Sequence, residues 1–317
     1  MQISVVIPLL NEEQSLPELH RWIKEVMQKH HFSYEIIFVD DGSTDNSWQE
    51  IQKLKAENDG VKAIKFHKNY GKSQALHAGF KEAQGEVIIT MDADLQDSPE
   101  EIPELYELIQ QQNFDLVSGW KKVRYDNKIT KNLPSKIFNA AARKVSGIQL
   151  HDFNCGLKAY KNEVVKNIEV NGEMHRYIPL LAKNAGFSNI VEKVVIHQPR
   201  KYGETKFGAN RFIHGFLDLI TLWFLSKFGK RPMHFFGALG ALMFFIGFVA
   251  TLWIGISKLI KLYHNTPDIL ITQNPWFFIA LTVMILGTLL FIAGFLGEII
   301  LRTNKNQERY KISKRIK

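Results

Sequence analysis

Two uncharged stretches near the C-terminus constrain this chain more than any other feature. Residues 233–256 and 276–297 contain no Asp, Glu, Lys or Arg, and at about 1.5 Å per residue a helix of that length crosses the roughly 30 Å hydrocarbon layer of a bilayer. Two buried core helices would hide such segments as well, but helices this long and apolar all round predict two membrane spans. The flanks set the orientation. Lys227, Lys230 and Arg231 precede the first span, and Arg302, Lys305, Arg309, Lys311, Lys314, Arg315 and Lys317 follow the second. The intervening loop, residues 257–275, carries only Lys258 and Lys261 against Asp268. This bias predicts an inner (cytoplasmic) membrane protein with both termini and the large N-terminal region in the cytoplasm.

The remainder of the 317 residues is long enough to bury a sizeable core. Forty basic residues against 32 acidic ones give +8, which suggests a polyanionic partner: nucleic acid, anionic lipid or a phosphate-bearing substrate. Cys155 is the only cysteine, so no intrachain disulfide forms and a reducing compartment is expected. The N-terminal run Ile3-Ser4-Val5-Val6-Ile7 has no basic region before it and reads as a first strand, not a signal peptide.

Strand-like runs begin at Ile3, Tyr34, Val61, Glu86 and Phe114, with amphipathic helical stretches between them. A repeat of about thirty residues is the length of a βα unit. Ile3-Ser4-Val5-Val6-Ile7 and Ile36-Ile37-Phe38-Val39 are nearly continuous apolar segments, as expected of parallel strands covered on both faces. The predicted fold is a doubly wound, mostly parallel α/β sheet, whose ligands bind at the carboxyl ends of the strands. Polar candidates fall there: Asn11-Glu12-Glu13, Asp40-Asp41-Gly42-Ser43 and Asp92-Ala93-Asp94. Neither a dinucleotide-binding glycine fingerprint nor a P-loop occurs at these turns.

The buried run Val87-Ile88-Ile89 ends in Asp92, Asp94 and Asp97. Carboxylates so close together are costly to bury unless a cation neutralises them. Asp92 and Asp94 are two apart, so in extended chain they point to the same side and can share one metal ion that bridges diphosphate oxygens. Ser98-Pro99-Glu100-Glu101 predicts a helix start, with Ser98 as N-cap and Glu101 closing a capping box. That assigns Asp97 to helix-start electrostatics. His175 and His197 lack a close-spaced histidine partner and read as supporting residues, not metal ligands.

Two stretches are basic and apolar together. Residues 131–147 place Leu133, Ile137, Phe138, Ala141 and Val145 at helical spacing beside Lys136, Arg143 and Lys144, which suits a core helix with a solvated basic face as well as a membrane-facing one. Residues 199–232 hold seven Lys or Arg against two acids, with Phe212, Phe216, Leu219, Ile220 and Trp223 on one face. Leading into the first span, this second stretch predicts a helix lying in the membrane interface. Charge is thereby accounted for, and no nucleic-acid partner is needed.

Taken in order, Val5-Val6-Ile7-Pro8 with Asn11-Glu12-Glu13, Val39-Asp40-Asp41-Gly42-Ser43-Thr44-Asp45, Asn69-Tyr70-Gly71-Lys72 and Asp92-Ala93-Asp94-Leu95-Gln96 resemble family 2 glycosyltransferases of the GT-A fold. The later motifs Asp152-Phe153-Asn154-Cys155-Gly156-Leu157-Lys158 and Arg200-Lys201-Tyr202-Gly203-Glu204-Thr205-Lys206-Phe207 resemble the polyprenyl-phosphate branch, which includes dolichyl-phosphate mannose synthases and bactoprenol glucosyltransferases. The resemblance implies a nucleotide-sugar donor, a Mg²⁺ or Mn²⁺ ion and a polyprenyl-phosphate acceptor at the bilayer. It implies that Pro8, Glu12, Asp41 and Lys72 line the donor pocket, that Asp92 and Asp94 hold the metal and donor diphosphate, and that Gln96 lies beside the transferred sugar. Leu10 departs from the aromatic residue frequent in the family. Asp152 stands where the family carries a proposed catalytic carboxylate, with Asp94 and Gln96 as the other residues nearest the chemistry.

A phosphomonoester acceptor is mostly dianionic at pH 7, so it needs cations that hold it in line more than a strong base. Arg200 and Lys206 are the first candidates, Arg124 and Arg176 the next, and Asp152 then orients groups or takes a residual proton. The chain divides into a transferase domain at 1–208, an interface helix at 209–232, two spans at 233–302 and a basic tail at 303–317. The expected reaction is inverting transfer of one hexose from UDP-glucose or a related UDP-hexose to undecaprenyl phosphate. GDP-mannose is the alternative donor, and a non-catalytic lipid-binding scaffold the alternative class. The Gln-x-x-Arg-Trp signature of processive synthases is missing, because Arg21-Trp22 is preceded by Glu18. A homo-oligomer is left open.

Overall fold

A computed structural model describes residues 1–122, 139–140, 142–144, 146–170, 172, 174–199, 201–202, 224, 228, 231–267, 269–303 and 312–316. The first of its two compact units comprises residues 1–223 and 308–317. Its chain runs β1 (Ile3–Leu9), α1 (Leu16–Lys29), β2 (Tyr34–Asp40), α2 (Ser47–Glu57), β3 (Val61–Phe66), α3 (Lys72–Glu82), β4 (Val87–Thr90), α4 (Ile102–Gln110), β5 (Leu116–Trp120), β6 (Lys158–Lys161), α5 (Asn162–Lys166), α6 (Ile178–Asn184), β7 (Ile190–Val194) and, from the C-terminal segment, β8 (Ile312–Ile316).

The strands form one sheet in the order β7-β5-β6-β4-β1-β2-β3-β8. Strands β4, β1, β2 and β3 are parallel neighbours, as the βα repeat predicts. β6 runs antiparallel between β4 and β5, and β8 antiparallel beside β3. Side chains alternate across the sheet, so Val5, Ile7, Ile36 and Phe38 enter one core with α1, α2 and α4, while Val6, Ile37, Val39 and Ile88 enter the other with α3. Both faces are covered, which is why these strands read as unbroken apolar runs.

In-register pairing of β1 with β2 and β4 brings their carboxyl ends to one edge, with Leu9 opposite Asp40 and Val6 opposite Thr90. Antiparallel β6 begins where β4 ends, Thr90 opposite Lys158. The loop before β6, residues 152–157, is therefore delivered to the same edge.

The second unit, residues 224–307, contains α7 (Pro232–Tyr263) and α8 (Pro275–Thr303). Both are long and apolar enough to cross a membrane. They pack on glycines: a Cβ on Gly240 would lie 2.5 Å from the Gly287 carbonyl oxygen, and one on Gly287 2.5 Å from the Phe244 nitrogen. Leu242, Phe245, Trp253, Leu286 and Leu289 face outward, as suits surroundings of lipid. The predicted loop 257–275 is shorter than expected: α7 continues through Tyr263 and carries Lys258 and Lys261 in its last turns. Long aliphatic stems let lysines near a helix end reach the interface without ending the helix. Of the predicted interface helix at 209–232 only residues 224, 228, 231 and 232 are described, and most of the basic stretch at 131–147 lies outside the described residues.

Candidate active site

The turns after β1 and β2 are tied to each other by side chains of their own motifs. Asn11 donates its N–H to Ser43 Oγ at 2.9 Å and accepts the Thr44 N–H on Oδ1 at 2.9 Å. Glu13 accepts the Asn46 N–H at 2.8 Å, and Ser47 Oγ accepts that of Glu12 at 2.9 Å. Asp40 caps the Ser43 N–H at 2.7 Å and pairs with Lys65 at 3.3 Å. Gly42, at φ 78°, lets the loop after β3 approach so closely that a Cβ would meet the Lys68 carbonyl carbon at 2.5 Å.

This bracing leaves Glu12 and Asp41 facing a cleft of about 350 Å³, which Pro8, Lys72, Asp92 and Asp94 also line. All six residues assigned to the donor and its metal are thus brought together. Asp41 accepts the Tyr70 N–H at 2.7 Å and the Gly71 N–H at 2.9 Å, one on each carboxylate oxygen, and burial raises its pKa. It fixes the start of α3, and with it Lys72, as well as facing the cleft.

Lys72 Nζ lies 2.5 Å from Asp92 Oδ1. Burial pushes the Asp92 pKa up, but Lys72, Lys121 and Lys158 outweigh it and hold the carboxyl at about 2. Asp94 Oδ1 accepts the Gln96 N–H at 3.2 Å across a turn whose Leu95 has φ 62°. Among the described residues no group of three or more His, Cys, Asp or Glu side chains converges. Asp92 and Asp94 are oxygen donors only, and both line the cleft. Such a set fits Mg²⁺ or Mn²⁺, which take one or two carboxylates and complete their shell with water and substrate phosphate.

Two expectations at this loop are overturned. Asp97 does not serve a helix start: it is buried, pairs with Lys121 at 2.7 Å and accepts the Asp92 N–H at 3.2 Å. Lys121 lies just past the end of β5, within reach of it, and a buried carboxylate is better satisfied by a cation than by helix-end amides. The capping box is absent as well. Ser98 makes no side-chain cap, and Glu101 pairs with Lys193 and accepts the Ile196 N–H at 3.0 Å. Its strand-edge partners replace the reciprocal cap.

A smaller cavity of about 20 Å³ adjoins the cleft and shares Pro8, Lys72 and Asp92 with it; Lys158, His175 and Arg176 line its far side. Burial, and then Lys72, Arg176 and Lys158, push the His175 pKa down to about 3. Burial raises the Cys155 thiol to about 12, so it stays protonated. Of the acceptor candidates, Arg176 is here, and Arg124, Arg200 and Lys206 lie outside the described residues. Asp152 is buried, with Oδ1 accepting the Asn154 N–H at 3.1 Å, and lines neither space. Gln96 does not line the cleft either; its amide faces the Gln198 carbonyl at 3.5 Å. Lys121, Lys158 and Gly156 had no role assigned from the sequence. Lys158 and Gly156 sit inside the Asp152–Lys158 motif, the one available signal.

Residues 4–169 match the model of the glycosyl transferase family 2. The chain belongs to that family. A dodecaprenyl-phosphate galacturonate synthase of Rhizobium johnstonii is 33% identical over 305 residues, spanning 96% of this chain and 88% of the other. An undecaprenyl-phosphate 4-deoxy-4-formamido-L-arabinose transferase of Pseudomonas aeruginosa is 36% identical over 260 residues, 81% of this chain and 74% of the other. Among solved structures, glucosyl-3-phosphoglycerate synthase from Mycobacterium tuberculosis in complex with Mn²⁺ and UDP-glucose superposes with a TM-score of 0.54 at 21% identity, over 72% of this chain and 79% of that one. This glycosyltransferase has the GT-A type of fold.

Proposed function

We propose that this glycosyltransferase moves one sugar from a UDP-sugar, a hexose or its uronic acid, to a polyprenyl phosphate at the cytoplasmic face of the inner membrane, with inversion at the anomeric carbon. The observation that carries the reading is the cleft in which Pro8, Glu12, Asp41, Lys72, Asp92 and Asp94 converge. Pro8, Glu12 and Asp41 take the nucleoside end. Asp92 and Asp94 hold a Mg²⁺ or Mn²⁺ ion, which when bound supplies charge stabilisation for the departing diphosphate. Lys72 adds a cation beside it. The lipid phosphate, already dianionic, attacks the anomeric carbon while the nucleoside diphosphate leaves, so no strong base is required. Arg176, together with Arg124, Arg200 and Lys206, binds that phosphate, and Asp152 orients the loop that carries Gly156.

Support for the orientation comes from β8. The chain leaves the sheet, makes two helices of spanning length and returns to pair with β3. Two crossings bring it back to the side it left, the arrangement that the positive flanks favour.

The test is nucleoside diphosphate release by detergent-purified protein with Mn²⁺, with and without undecaprenyl phosphate. The panel is UDP-glucose, UDP-galactose, UDP-galacturonate, UDP-N-acetylglucosamine and GDP-mannose. Lipid-dependent release from one UDP-sugar is expected, and Asp94→Asn should abolish it while lipid binding persists. Silence of the folded protein across the panel, or turnover indifferent to Asp94→Asn, sinks the reading.

A further inference from the structure

Asp92 and Asp94 are tied, each by its own bonds, to two different segments that leave the sheet. Asp94 Oδ1 accepts the Gln96 N–H at 3.2 Å, and the Gln96 carbonyl accepts the Gln198 N–H at 3.0 Å. Asp92 donates its N–H to Asp97 Oδ2 at 3.2 Å, and Asp97 Oδ1 pairs with Lys121 Nζ at 2.7 Å. Backbone pairing continues beside the first path, where Asp97 forms an antiparallel bridge with His197. β5 and β7, which lead into the two segments, are parallel neighbours that end together, Trp120 opposite Val194. Gln198 stands two residues before Arg200, and Lys121 three before Arg124. Both arginines are the ones assigned above to the acceptor phosphate.

The turn that makes these links is not one the chain adopts by itself. Leu95 has φ 62°, a left-handed backbone that a bulky side chain keeps only when its surroundings hold it. Leu95 and Asp97 are both buried, so the turn is held from several sides at once. A ligand that fixes Asp92 and Asp94 lowers the cost of ordering Gln96 and Asp97, and with them the Gln198 and Lys121 segments. The same coupling acts in reverse.

The geometry points to Gln96 and Asp97 as positioning residues that link the donor loop to the acceptor segments, so that binding of the nucleoside diphosphate with its metal orders the side that receives the lipid phosphate. This linkage rests on the transferase reading of the cleft. Its two paths are separable. Gln96 acts through its carbonyl on the chain after β7, and Asp97 acts through Lys121 on the chain after β5.

The test is hydrogen exchange of the full chain in detergent, read by mass spectrometry in peptides covering residues 92–98, 119–122 and 196–202. Among the described residues of these peptides only Asp92, Ala93 and Asp94 line the cleft, so protection elsewhere reports the linkage and not direct contact. UDP with Mn²⁺ should slow exchange in all three peptides of the wild type, by about fivefold or more. Undecaprenyl phosphate without nucleotide should slow exchange at 92–98, and undecaprenol should not. Gln198→Pro removes one N–H and no charge; it should lose the UDP response at 196–202 and keep it at 119–122. Asp97→Asn keeps an oxygen for the Asp92 N–H but turns an amide toward Lys121, and should do the reverse. UDP affinity in both variants should stay within about threefold. If Asp97→Asn does not fold, Gln198→Pro alone carries the comparison. A wild type in which UDP with Mn²⁺ protects 92–98 only, or variants that keep both remote responses, overturn the linkage alone. A folded wild type that binds neither UDP nor undecaprenyl phosphate overturns the transferase reading and the linkage with it.

Discussion

A methyl group on Gly156 would stand 2.6 Å from Cγ and Oδ2 of Asp92. The loop before β6 therefore serves as a wall against which the first carboxylate of Asp92-Ala93-Asp94 is set. No side chain fits in that gap.

Gly156→Ala tests this wall. The added carbon overlaps the carboxylate well inside van der Waals contact, so Asp92 or the loop must move. The protein should remain folded, with Mn²⁺-dependent UDP binding weakened by about tenfold or more, because small displacements of a positioned group are expensive at a reacting centre. Calorimetry with and without Mn²⁺ reads the effect. Wild-type affinity in the variant would mean that Asp92 need not sit where it does.

Asp97 and Lys121 form a pair with side-chain exposures of 0% and 12%. Asp97 also receives the Asp92 N–H, so the pair braces the loop that carries Asp92 and Asp94. Removing one partner leaves the other buried and uncompensated, and Asp97→Asn should destabilise the protein by about 3–5 kcal/mol. The double variant Asp97→Asn/Lys121→Met should recover part of that loss, since it removes both charges. Unfolding followed by tryptophan fluorescence gives the cycle; additive losses would contradict the pairing.

Much of this arrangement is legible in the order of the amino acids. Parallel strands covered on both faces leave long apolar runs, so β1 to β5 announce themselves, and carboxylates closing a buried strand demand a cation. The parts that stay hidden are set by tertiary context. β6 is Lys-Ala-Tyr-Lys and β8 is Ile-Ser-Lys-Arg-Ile, basic segments whose strand state comes from a neighbour's unpaired edge. Glu101 satisfies the local rule for a capping box, yet a lysine from β7 supplies a stronger partner. Lys158 carries no local sign of burial, because lysine in a sequence reads as surface.

Ser73 and His175 fix a protonation state. Ser73 Oγ accepts the His175 backbone N–H at 2.9 Å and lies within hydrogen-bond distance of Nδ1, at 3.2 Å. Burial, followed by Lys72, Arg176 and Lys158, lowers the folded pKa to about 3 from the ordinary 6.5. The folded pKa is depressed, so the unfolded state binds more protons between those values. The stability this group contributes is complete above pH 6.5 and falls away as the pH drops toward 3. NMR of the imidazole should show no titration of His175 between pH 8 and 5; a midpoint near 6 would refute its burial among cations.

The last strand gives a prediction about the C-terminal segment. β8 pairs with β3 in the register Ala63 to Ile316, Ile64 to Arg315 and Lys65 to Lys314, and Arg315 reaches Glu82 at 3.2 Å. Without β8 the outer edge of β3 is unpaired, with its backbone groups open to water or to another chain. Deleting residues 308–317 should raise hydrogen exchange at the β3 amides that face β8, leave those facing β2 protected, and increase aggregation, while the cleft at the carboxyl ends of the strands keeps its UDP affinity. The ion pair is partly exposed and contributes little, so the pairing itself must supply the protection. Unchanged exchange along Val61–Phe66 after the deletion would mean that this edge is covered by something other than β8.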